Sequence, residues 1–230
     1  MRYLSFVFAA ASLLAHVAFA TPANPTDGAE YRTLLSPQPV QASGKKIEVI
    51  EVFMYHCPAC NALEPELMEW VKKQGDGIVF RRLHMPYTEP NDPEAHLFLT
   101  LEAMKSEDAL HDKVLRTWHI EQRRLKDDAD NIDWAVKNGI DKAKFMEYYN
   151  SFAVKTKLQN MSRIVSNYQV DSTPTLIVDG RYVTNPGMVD AGNPGIPRQV
   201  LNKALLQVTD ALVAKARAGK GEEPAKSAAR

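Results

Sequence analysis

The stretch Glu51-Val52-Phe53-Met54-Tyr55-His56-Cys57-Pro58-Ala59-Cys60 constrains this chain more than any other. Residues 47–55 are rich in β-branched and aromatic side chains and predict a buried strand. The only two cysteines of the chain follow at once, two residues apart, where a helix should begin. A helix N-terminus presents unpaired N–H groups and partial positive charge, which favour a thiolate held there. Pro58 suits the first helical position, having no N–H to lose and a φ that is already helical.

Two cysteines at this spacing can make a structural disulfide, half of a zinc site, or a redox centre. With no further cysteine, one chain cannot build a four-thiolate site, and Asn61 excludes the Cys-x-x-Cys-His haem attachment signal. A bridge closing so short a loop would stabilise by only ~2 kcal/mol. Thiol exchange, in contrast, needs this spacing. The exposed first sulfur forms a mixed disulfide with another molecule, and the second, one helical turn on, displaces it. The strand before and the helix after therefore favour the redox reading, with no metal and no cofactor.

Behind Arg2, residues 4–18 form an apolar run followed by Ala18-Phe19-Ala20. This predicts a secretory signal peptide over residues 1–20, cut after Ala20. A retained anchor is the alternative; His16 inside the run and the small-residue cleavage signal argue against it. Export matters because a disulfide persists outside the cytosol. No later stretch approaches the ~18 apolar residues of a membrane span, so the mature chain is not expected to be membrane-inserted. Basic and acidic residues number 28 each, a balance that argues against nucleic acid or an acidic membrane surface as the main partner and leaves room for a local patch. The 230 residues suffice for one generous domain or two small ones.

Residues 21–39, with four prolines, read as an extended arm with a short strand around 31–35. Leu63, Leu67, Trp70 and Val71 continue the first helix to about Lys73, and Pro65 inside it should cause a kink. Residues 78–84 predict a second strand, parallel to the first. Glu51, flanked by apolar residues, should be buried beneath the cysteines, with Arg81 or Arg82 answering its charge. An edge position facing water is the alternative.

Residues 93–169 read as helix throughout, in segments 93–104, 108–120, 132–138, 141–152 and 154–168, with Asp128, Asp130 and Asp141 as caps or first-turn acids. His96, His111 and His119 show no metal-ligand spacing and are read as structural. Residues 174–178 and 181–184 predict strands around an Asp179-Gly180 hairpin turn. Residues 186–197 read as a loop, residues 198–218 as a long helix, and 219–230 as a disordered tail.

This order of elements resembles the thioredoxin fold with the helical insertion of the DsbA-type thiol:disulfide oxidoreductases of the bacterial periplasm. The residues that carry the resemblance are Glu51, Cys57-Pro58-Ala59-Cys60 and Thr173-Pro174. It implies an α/β thioredoxin fold with an inserted all-helical domain. Residues 21–92 and 170–218 would form the thioredoxin-like domain and 93–169 the insertion. It further implies Glu51 as a buried acid beneath the motif, Arg82 as its basic partner, and a cis bond before Pro174. That bond would set the Thr173 backbone beside Cys57 to pair with an extended substrate, whose flanks would meet His56, Pro58 and Ala59.

A helix terminus supplies up to ~2 kcal/mol, so a strongly held Cys57 thiolate also needs bonds from the Ala59 and Cys60 N–H groups and the Cys60 thiol. The resemblance implies that a Cys57–Cys60 disulfide passes to reduced, unfolded exported proteins in the periplasm. A quinone-linked membrane oxidase would renew it, and the protein would act as a monomer. Ala59 stands where the family commonly has histidine and Thr173 where it commonly has valine. Thr173 is similar to isomerases and reductases of the same fold. These are the enzymatic alternative, and a periplasmic chaperone or binding module with incidental cysteines is the other.

Overall fold

The computed structural model describes residues 22–88 and 90–222, the last two by backbone alone. The expected signal peptide and residues 223–230 of the tail lie outside the described residues.

The strand before the cysteines, β2 (Ile47–Phe53), is buried at every position. It runs inside a five-stranded sheet, between β3 (Ile78–His84) and β4 (Thr175–Val178). The order is completed on the far side of β4 by β5 (Tyr182–Thr184) and β1 (Arg32–Thr33). Burial on both faces explains why β2 reads as an almost continuous apolar run. Ile47 and Val49 face one core with Leu176, beneath α1 (Pro58–Gln74) and α8 (Leu201–Glu222), which contribute Leu63, Leu67, Leu205 and Leu212. Ile50 and Val52 face a second core with Leu83 and Ile177, closed by Leu97, Phe98, Trp134, Phe145 and Met161 from helices that follow β3.

Those helices are α2 (Pro93–Ala103), α3 (Glu107–His119), α4 (Asp128–Lys137), α5 (Lys142–Tyr149) and α6 (Phe152–Asn167). Their ends depart from periodicity where capping decides. Asp127 accepts from the Asp130 N–H at 2.9 Å, so α4 starts four residues before the expected 132, with Asp128 and Asp130 in its first turn. Ser151 caps Val154, so the expected helix over 141–152 stops at Tyr149 and α6 begins at Phe152. The expected loop over 186–197 contains a short helix, α7 (Pro186–Gly192), because Asn185 caps the Met188 N–H at 2.9 Å and Pro186 fills the first position. The long last helix continues past Gly219 through Glu222, correcting the expected start of the tail. A glycine there costs a helix only ~1 kcal/mol.

The helix α1 runs unbroken past Pro65 and stops at Gly75, whose φ of 53° few other residues adopt. Strands β2 and β3 pair in parallel with Glu51 opposite Arg82 and Phe53 opposite His84. Pairing with β4 is antiparallel and sets Val52 opposite Thr175, one residue beyond Pro174. The sheet thus brings the end of β2, the start of α1 and the start of β4 to one place.

Candidate active site

Cys57 is the N-cap of α1 and Pro58 its first residue, so the sulfur meets the unpaired N–H groups of the first turn. The Cys60 N–H lies 3.4 Å from Cys57 Sγ. From the other side comes the Thr173-Pro174 loop, whose connecting peptide is cis and whose Thr173 carbonyl oxygen is 3.5 Å from the same sulfur. The Thr173 hydroxyl is buried beside that sulfur and has no other partner among the described residues. Both cysteines are free thiols, 7% and 2% exposed. Pro58 and Ala59 are exposed beside them.

This setting lowers the Cys57 thiol from an ordinary 9.0 to about 5. The largest cause is the hydrogen bond donated by the Cys60 thiol; burial opposes it, and the Thr173 side chain and the N–H groups of Cys60 and Ala59 add to it. Cys60 is pushed far above its ordinary value, because it donates that bond and because it is buried. The pair therefore keeps one proton, held on Cys60. A lowering of four pH units corresponds to about 5 kcal/mol, more than twice what a helix terminus supplies, so the direct hydrogen bonds carry most of it.

Glu51 is 1% exposed, which excludes the edge position facing water. Its Oε2 lies 3.2 Å from Arg82 Nε; Arg81, the other candidate, binds Glu48 at 3.1 Å. Arg82 also reaches Glu64 of α1 at 2.6 Å and Glu107 of α3 at 3.3 Å, and His111 packs against both of those acids with neither ring nitrogen aligned for a hydrogen bond. One guanidinium thus faces three carboxyls in a dry place. Burial, only partly offset by Arg82, pushes Glu51 up to about 8 and Glu64 to about 7, and raises Glu107 as well. Burial also pushes the His111 imidazole well below its usual range. The cluster holds protons at neutral pH.

On the helical side, Glu94 in the first turn of α2 grips His56 twice, accepting from its backbone N–H at 3.0 Å and meeting Nδ1 at 2.7 Å. That bond raises the His56 imidazole above its ordinary value. Burial opposes ionisation of Glu94, but the bonds to His56 and His84 outweigh it and hold the carboxyl at about 2. His119 Nε2 lies 2.8 Å from the Tyr55 carbonyl oxygen, which pins the turn before Cys57. Sequence patterning missed Glu64, Glu94 and Glu107 and read His111 and His119 as structural. Nothing local marks these side chains among the other acids and histidines of amphipathic helices. His96 remains structural, bonding the Tyr149 carbonyl at 2.8 Å. Among the described residues, no cluster of His, Cys, Asp and Glu has the arrangement to hold a metal ion.

A Cys-x-x-Cys pair at the head of a helix, facing a cis-proline loop across a sheet of this topology, defines a thioredoxin-fold thiol:disulfide oxidoreductase. Residues 43–192 match the family model described as thioredoxin. The chain is 34% identical over 209 residues to the thiol:disulfide interchange protein DsbA of Burkholderia cepacia, covering 91% of this chain and 98% of that one. Against DsbA of Pseudomonas aeruginosa it is 37% identical over 193 residues, 84% and 86% of the two chains. The crystal structure of Pseudomonas aeruginosa DsbA superposes with a TM-score of 0.75 at 34% identity, covering 86% of this chain and 97% of that chain. The chain belongs to the DsbA family. Membership decides for an oxidoreductase that introduces disulfides, over a binding module with incidental cysteines.

Proposed function

We propose that Cys57 and Cys60, joined as a disulfide, oxidise pairs of cysteines in reduced, unfolded exported proteins. A substrate thiolate attacks Cys57 Sγ; the Cys57–Cys60 bond breaks, and Cys60 takes up a proton. A second substrate thiolate then attacks the substrate sulfur of the mixed disulfide and expels Cys57 as a thiolate. Two electrons pass from substrate to enzyme; the substrate leaves as a disulfide and the enzyme with Cys57 as a thiolate and Cys60 as a thiol. The observation that carries this reading is the Cys57 sulfur held as an anion by Cys60 and the first-turn N–H groups, since a stabilised thiolate is a good leaving group.

In this reading Glu51 moves the proton to and from Cys60, and Arg82 sets the charge of Glu51. The Thr173 backbone beside Pro174 pairs with the extended substrate, and His56, Pro58 and Ala59 meet its flanks. Residues 21–92 with 170–218 act as the thioredoxin-like domain, and 93–169 as the inserted one. Residues 1–20 direct export and are removed after Ala20, the protein works in the periplasm as a monomer, and a quinone-linked membrane oxidase restores the disulfide.

Replacing Cys57 with serine tests the mechanism: it should abolish oxidation of a reduced, unfolded substrate, and retained oxidation would overturn it. Equilibration with glutathione measures oxidant strength and separates this reading from an isomerase or reductase, each ~30 mV being worth ~1.4 kcal/mol.

A further inference from the structure

A cleft of about 640 Å³ opens beside the cysteine pair. Its walls include both chain neighbours of Cys57, His56 and Pro58, together with Tyr87, Trp118, Arg124 and Lys126. Two acids, Asp92 and Glu94, also line it, but their oxygens are already taken. Asp92 accepts from the Ala95 N–H at 2.7 Å and from the Tyr87 and Thr88 N–H groups at 3.0 Å, and Glu94 is occupied by the His56 amide and ring. Their oxygens are therefore turned toward the protein and away from a ligand, although the N–H groups around Asp92 are neutral and leave its charge in place.

Arg124 and Lys126 are exposed and make no ion pair among the described residues; the neighbouring Arg123 takes Asp133, at 2.6 Å. His56, its Nδ1 held by Glu94, makes no hydrogen bond through Nε2 among the described residues. In the same cleft Tyr87 is 73% exposed, with its ring 5.1 Å from that of His56, and the Trp118 indole N–H is buried with no partner among the described residues. A concave aromatic wall with unpaired cations at its edge complements a carboxylate carried on a peptide.

We infer that this cleft receives an acidic side chain of the substrate, close in sequence to the cysteine being oxidised, and so gives the enzyme a preference among reduced chains. The inference rests on the proposed attack at Cys57. An extended chain advances ~3.3 Å per residue, so an acid two or three positions from the attacked cysteine falls ~7–10 Å from the sulfur. Exposed charge pairs are worth about two- to fivefold each, and two cations give about tenfold at low salt. The preference should fade as the Debye length falls from ~30 Å at 0.01 M salt to ~3 Å at 1 M.

The test uses the oxidised full-length protein and short reduced peptides with one cysteine and either Glu or Lys two or three positions away. Second-order rates of mixed-disulfide formation are measured with wild type and with the double variant Arg124→Glu/Lys126→Glu. A neighbouring charge also changes the peptide thiol itself. The readout is therefore the Glu-to-Lys rate ratio of wild type divided by that of the variant, in which the intrinsic difference cancels. We expect about tenfold or more at low salt, collapsing toward unity at 1 M. The same ratio in both proteins would overturn the cleft. Oxidation of dithiothreitol by wild type tests the underlying exchange separately, because that small dithiol reduces the pair without filling the cleft. Its failure would overturn the reading of Cys57 and Cys60, and its success with an unchanged peptide ratio would overturn the cleft alone.

Discussion

Replacing Cys57 with serine should change how the stability of the reduced protein depends on pH. An acid with a lower pKa in the folded than in the unfolded chain stabilises the fold above the unfolded value and loses that contribution as pH falls through the folded one. For Cys57 the two values are about 5 and 9.0, so the window runs between them. Within it the contribution grows by about 1.4 kcal/mol per pH unit, reaching about 3 kcal/mol at pH 7 and about 4 kcal/mol at pH 8. The sulfur is only partly enclosed by protein, so water screens it and these are upper limits. Serine does not ionise in this range, whereas Glu51, Glu64 and the other titrating groups are present in both proteins and cancel in the difference. Urea unfolding of both proteins with excess reductant, at intervals from pH 5 to 8, measures it. The two curves should run together near pH 5 and separate upward in favour of wild type. Parallel curves would mean that the fold does not hold this sulfur as an anion.

Glu51→Gln should act with the opposite sign. A carboxyl raised from 4.5 to about 8 keeps its proton in the folded chain, so it weakens the fold as pH rises through that window. The glutamine variant should gain on wild type between pH 5 and 8 in the same unfolding assay, by at most about 5 kcal/mol, and should oxidise substrate more slowly. Arg82→Met leaves Glu51, Glu64 and Glu107 without their shared cation; calorimetry should show a loss of about 3–5 kcal/mol at pH 8 that shrinks toward pH 5 as the carboxyls take up protons. Thr173→Val removes a hydroxyl that helps lower the Cys57 thiol, so titration of the thiolate absorbance should move upward, and an unmoved midpoint would take that side chain out of the account.

Much of the frame was legible because its signals are local. The run Ile-Val-Phe behind the Gly75-Asp76-Gly77 turn predicts residues 78–84 as a strand, and β3 occupies that span. Cys57 and Pro58 mark the head of α1 by the same logic that puts a capping side chain before a proline. Helix ends inside the inserted block were less legible. Apolar spacing ignores the polar first turn that Asp127 builds, and it runs through the break that Ser151 makes. The helix α7 was missed for the same reason, its Asn185-Pro186 start being a capping signal inside a stretch that otherwise looks like a loop.

The sequence by itself determined that two cysteines stand at a strand-to-helix junction with an acid in the strand beneath them, since each of these facts depends on residues within one turn or one strand. Only the tertiary structure decided what surrounds that junction. Thr173 meets Cys57 from 116 positions away, Glu94 reaches His56 from the next helix, and Glu64 and Glu107 join Arg82 from two helices. The charge state of a buried group is a sum over everything packed against it. No periodicity within a segment records which of its acids will be turned toward a particular sulfur or guanidinium when separate segments close over one another.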